Sequence, residues 1–163
     1  MSIRQRVLDA ETLWRMNQRE GAWVQAMIAT AATARKRYPK PMPDGESFKR
    51  YIRDICVTII MGQPMPPNLQ GGQILFKFGE RAFEDILYKD YRCSWVHEAT
   101  LTNAGLTETM RKGDQMIETL VVGAYTELPD NWVLNLLNAI RWSPENTDEF
   151  VDAVNHQSCK KTK

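Results

Sequence analysis

The feature that most constrains this chain is an apolar stripe. Phe83, Leu87, Tyr91 and Trp95 stand at i, i+4, i+8 and i+12, with Ile86 beside them. A repeat of four is the spacing of one helix face; a strand alternates every second residue. The stripe predicts a long central helix over residues 73–98, interrupted only by Gly79.

The rest of the chain divides around proline. Leu13, Met16, Trp23, Met27, Ile28 and Ala31 predict a helix over 9–38, with a break at Gly21, and Pro39, Pro41 and Pro43 stop it. A second helix is read over 46–61 from Phe48, Tyr51, Ile52, Ile55, Ile59 and Ile60. Residues 62–72 read as a loop, and 101–115 as turns and loop. Residues 117–125 read either as a short strand or as a buried helical turn, since so short a run has no decisive period. Pro129-Asp130-Asn131 opens a helix to Arg141, and Ser143-Pro144-Glu145 opens a last one to about residue 155, with Ser as N-cap and Pro at N1. The tail after it is polar. The expected fold is all-α, mainly α: a bundle of about five helices with a small extended insert near 100–127.

At 163 residues the chain has the length of about one domain, so 1–163 is taken as one unit. Hydrophobic residues are 43% and charged residues 25%, too apolar for a disordered chain. The net charge of +1 argues against a histone-like coat on nucleic acid. Cys56, Cys93 and Cys159 are odd in number and scattered, which suits a reducing compartment. The first residues hold no apolar signal core, and no run reaches the length of a membrane span. A cytoplasmic protein with no membrane partner is expected.

Phosphate-loop, dinucleotide, nucleophile-elbow and H-E-x-x-H patterns are absent. With only His97 and His156, three histidines cannot meet on a metal in one chain. Cys93 and His97 have the i, i+4 spacing of metal ligands, but nothing places Cys56, His156 or Asp90 as further ligands. No metal and no cofactor are expected. The basic stretches Arg35-Lys36-Arg37 with Lys40, and Lys49-Arg50 with Arg53, read as solvated faces or as a hold on an RNA backbone. Trp14, Trp23, Trp132 and Trp142 read as core, and Trp95 as core or interface.

The densest chemistry is Asp90-Tyr91-Arg92-Cys93-Ser94-Trp95-Val96-His97-Glu98. An arginine fork binds phosphate, and a histidine moves a proton near neutral pH. Together they are the minimum for cleaving RNA through its own 2′-OH. On a straight α-helix residues five apart lie about 140° apart around the axis, so one helix aims the pair poorly at one phosphate. Two copies meeting at a symmetric interface would resolve this. The plain alternative is a core histidine with helix ion pairs from Arg92 to Asp90 or Glu98.

The stretch R-C-S-W-V-H, late in a helix of a helical chain, resembles the Arg-x4-6-His signature of the HEPN superfamily. The flanking D-Y-R-C-S-W-V-H-E, and less specifically LPDNWVLNLLNAI with SPENTDEF, resemble HEPN-like proteins found near toxin–antitoxin and phage-defence genes. The likeness covers about half the chain and has a core of six residues. It implies a helical homodimer acting as a metal-independent endoribonuclease on an RNA substrate, in a toxin or phage-defence role, with an antitoxin or other regulatory protein as partner. Arg92 and His97 would be catalytic, supported by Glu98, Asp90 and Tyr91. Cys93 departs from the Asn, Asp or His usual after the arginine. Many members lack catalysis, so the alternative is a non-catalytic helical module that binds a partner protein or a nucleotide.

Overall fold

A computed structural model describes residues 1–64, 75–98 and 104–151, apart from the side chains of His97 and Glu98. The chain opens with α1 (Ile3–Arg15), whose N-cap Ser2 hydroxyl accepts the Gln5 amide at 3.1 Å. α2 (Arg19–Arg37) folds back on it. The break lies not at Gly21 but at 16–18, where Asn17 takes a left-handed φ of 60°. Gly21 continues α2 because the helices cross there: a Cβ would already touch Leu13 at 3.4 Å.

After the Pro39–Pro43 connector comes α3 (Asp44–Met61), ended by Gly62 at φ 66°. Asn135 Nδ2 donates to the Ile59 carbonyl at 2.8 Å, satisfying a group the helix end leaves open. β1 (Lys77–Phe78) and β2 (Arg81–Ala82) form a hairpin turning at Gly79, φ 62°. α4 (Phe83–Ile86) runs straight into a π-helix, π1 (Leu87–Glu98).

β3 (Ala104–Thr107) pairs in parallel with β6 (Thr126–Pro129). Between them β4 (Met110–Lys112) and β5 (Gln115–Ile117) make an antiparallel hairpin. α5 (Trp132–Trp142) and a 3₁₀ turn (Pro144–Glu149) close the described chain.

Of the described residues 61% are helical and 14% are in strands, so the all-α expectation is corrected: the fold is mixed, though mainly helical. Two strands fall inside the expected central helix, because Gly79 at positive φ turns a hairpin where an α-helix would need negative φ. The expected last helix is a 3₁₀ turn over Pro144–Glu149, broken at Phe150; residues 152–155 of its expected course, the polar tail and most of the 62–72 loop lie outside the described residues. Among those described, no helix is long and apolar enough to cross a membrane.

The core sits where α2 meets α1, α3, α5 and π1. Trp23, Phe48, Tyr51, Ile52, Phe83, Leu87, Tyr91, Leu128 and Leu136 are all fully buried in it. Burying each such side chain is worth about 1.5–3 kcal/mol. The Trp23 indole N–H donates to the Asp130 carbonyl at 3.1 Å, so its polar end is satisfied as well. Trp132 and Trp95 join the core; Trp14 is half-buried, and Trp142, expected inside, is exposed.

Candidate functional site

π1 carries the Arg92–His97 stretch, and its winding changes the geometry. Bonding from i to i+5 gives roughly 4.4 residues per turn, or about 82° per residue. Backbone positions 92 and 97 are then about 50° apart around the axis, not the 140° of an α-helix. Ordinary π segments are a single turn and often mark functional sites; this one spans twelve residues.

The Arg92 guanidinium is seated on aromatic rings. π1 supplies Tyr88 one turn earlier and α3 supplies Phe48, with ring centroids 5.7 Å apart. The guanidinium carbon lies 5.4 Å from the Phe48 ring and 5.3 Å from the Tyr88 ring. Such contacts are worth about 0.5–2 kcal/mol. Arg92 is half-buried, and among the described residues no carboxylate pairs with it. The Tyr88 hydroxyl rests on the first turn of α3, where a Cβ on Gly45 would come within 2.6 Å of it.

The neighbouring polar groups are committed elsewhere. Asp90 is gripped twice by Arg81 of the β1–β2 hairpin, at 2.7 and 2.9 Å. Tyr91 is fully buried; its hydroxyl donates to the Gly105 carbonyl at 2.7 Å and accepts the Leu128 amide at 3.2 Å. Burial pushes this phenol well above its ordinary range, so it stays protonated. Cys93 is half-buried and free. The side chains of His97 and Glu98 lie outside the described residues. Among those described, no three His, Cys, Asp or Glu side chains gather as a metal site.

The basic stretches are spent on internal ion pairs. Arg35 meets Asp44. Lys36 meets Glu149 at 2.7 Å, Arg37 meets Glu145 and Asp54, Lys49 meets Glu46 and Asp85, and Arg53 meets the buried Glu84 at 2.8 Å. Arg50 lies over the Tyr38 ring, 4.8 Å from its centre.

Exposed apolar surface gathers on residues 110–125. Met110 is 56% and Met116 62% exposed, and Ile117, Val121, Val122 and Tyr125 are each more than a third exposed. Sequence reasoning missed this surface. The signal was Lys112-Gly113-Asp114-Gln115, with Gly first in a two-residue turn between apolar residues, which is a hairpin pattern.

A family model described as Rv1289 matches residues 2–162. The chain belongs to the Rv1289 family. The matched stretch runs through both the helical core and the strand-bearing segment, so the family's pattern includes the exposed hairpin as well as π1. No curated protein and no solved structure matches the chain.

Proposed function

We propose that the chain is a non-catalytic module that binds a partner protein through the segment 110–125. The observation that carries this is the gathering of six exposed apolar side chains there. Met110 and Ile117 are cross-strand partners and so share one face of the hairpin, and exposed apolar residues that neighbour one another, unlike ones scattered singly, favour an interaction site. A two-stranded hairpin is at best marginally stable alone in water, and a partner would supply the missing packing. The commitments of Asp90 to Arg81 and of Tyr91 to Gly105 support the same reading, because they withdraw polar groups from the Arg92 stretch.

The test compares the native size of the complex in extracts of cells that carry the chain. Wild type is expected well above the 18.8 kDa of one chain. Met116→Glu with Ile117→Glu is expected to return it to the size of the purified protein. Equal sizes for both would overturn the reading.

One observation favours a second reading, metal-independent RNA cleavage by Arg92 and His97 at a HEPN-like site shared between two subunits. The π-helix brings backbone positions 92 and 97 toward one face, and among the described residues no carboxylate pairs with Arg92, which leaves its fork open to a phosphate. Cleavage of an RNA pool in excess EDTA, lost in His97→Ala and Arg92→Ala, is the result this reading expects; no cleavage by the folded wild type removes it.

A further inference from the structure

The β4–β5 hairpin shows how a partner would be recognised, and the inference rests on the binding reading above. The turn holds two residues, Gly113 and Asp114, with Gly113 at φ 62°. In a two-residue hairpin the closing pair, here Lys112 and Gln115, is hydrogen-bonded, and bonded and non-bonded pairs then alternate. Arg111 and Met116 are therefore the non-bonded pair, and their backbone N–H and C=O groups face outward. The two edges are open, and every residue of β4 and β5 is exposed. Such an edge is a template for one more strand.

The charges on the two edges differ. β4 carries Arg111 and Lys112, and among the described residues neither meets a carboxylate; Arg111 Nε donates to the Gly113 carbonyl at 3.2 Å. This contrasts with the cations of α2 and α3, most of which are ion-paired. On the other side, Asp114 and Glu118 flank β5, and Glu118 already accepts from Asn131 and Trp132.

We propose that the β4 edge accepts an extended protein segment with acidic side chains opposite Arg111 and Lys112 and an apolar one opposite Met110. A second copy of this chain fits poorly. Two-fold pairing of β4 with β4 sets Arg111 against Arg111, and pairing of β5 about Met116 sets Asp114 against Glu118. Nucleic acid and an anionic bilayer fit poorly as well. Over 108–118 three carboxylates, Glu108, Asp114 and Glu118, outnumber the two cations, so a broad polyanion meets no net attraction. A single strand lying along β4 meets the cations alone.

The experiment uses the full chain and a short synthetic peptide in which each valine is followed by two adjacent glutamates, so that valine can oppose Met110 while the two acids oppose Arg111 and Lys112. Its binding is followed by amide NMR shifts and fluorescence anisotropy. The expected result is saturable binding with shifts centred on Met110–Lys112. Affinity should fall about tenfold with Arg111→Glu and Lys112→Glu together, the size expected from two exposed ion pairs. The charge-reversed variant should prefer a valine–lysine peptide. N-methylation of alternate peptide amides should abolish binding, because the strand's backbone bonds would be lost. Equal binding of both peptides, shifts away from β4, no binding, or tighter binding to duplex DNA or anionic vesicles would each overturn the proposal. If the peptide fails while Met116→Glu with Ile117→Glu still shrinks the native complex, this proposal falls and the binding reading stands. If neither effect is seen, both fall.

Discussion

The Tyr91 hydroxyl donates to the Gly105 carbonyl at 2.7 Å, joining the π-helix to the β3–β6 ladder. The same oxygen accepts the Leu128 amide at 3.2 Å, and the ring packs edge-on against Trp95 at 5.2 Å. One buried side chain thus holds the strand-bearing segment to the helical core.

Tyr91→Phe keeps the ring and removes the hydroxyl, leaving buried backbone groups without their partner. The expected cost is about 1–3 kcal/mol of unfolding free energy, read by urea denaturation. A change below about 0.5 kcal/mol would show that the hydroxyl does not hold the segment.

Gly45→Ala tests the contact of Tyr88 with α3. A helical Gly→Ala exchange ordinarily stabilises by up to about 1 kcal/mol. Here the new Cβ would lie 2.6 Å from the Tyr88 hydroxyl, so the exchange should destabilise. In a Tyr88→Ala background the sign should reverse. A double-mutant cycle measures this, and additive effects would contradict the contact.

Acid should weaken the clasp between α2 and the 3₁₀ turn. Burial alone would raise the Glu145 carboxyl, but the Arg37 fork and nearby Lys36 outweigh it and hold the group below the ordinary 4.5. Glu149 is likewise held low, against its own burial, by Lys36 and the Arg4 amide. A folded pKa below the unfolded one gives stability that is complete above the unfolded value and is lost as pH falls through the folded one. Unfolding free energy should therefore drop as pH is lowered below about 4.5. Glu145→Gln with Glu149→Gln should lessen that drop; an unchanged slope would contradict the assignment.

Cys56 should resist alkylation in the native protein. Burial pushes its thiol up to about 11, so little thiolate forms near neutral pH. Mass spectrometry after a timed iodoacetamide pulse should show Cys93 modified while Cys56 is spared until denaturant is added. Early labelling of Cys56 would contradict its placement.

The helices were legible because their signals are local. The Phe83–Leu87–Tyr91–Trp95 stripe is buried throughout, as its spacing predicted. Its winding was hidden, because residues four apart stay within about 35° of one face in a π-helix and about 40° in an α-helix. The strands have two to four residues, too few to display a period of two. Of the Arg92 surroundings, Tyr88 stood one turn away in sequence, but Phe48 comes from another helix and no local pattern points to it. Tyr91 read as a polar helper because its hydroxyl's partners, at 105 and 128, are distant in the chain.

The most direct measurement is photo-cross-linking in cells that carry the chain, from a reactive residue placed at Met116, with the exposed Leu8 on α1 as a control. The account predicts one protein adduct, identified by mass spectrometry, that forms from Met116, is absent from Leu8, and disappears when Ile117→Glu is added. Absence of a protein adduct at Met116, or an adduct to RNA in its place, would contradict it.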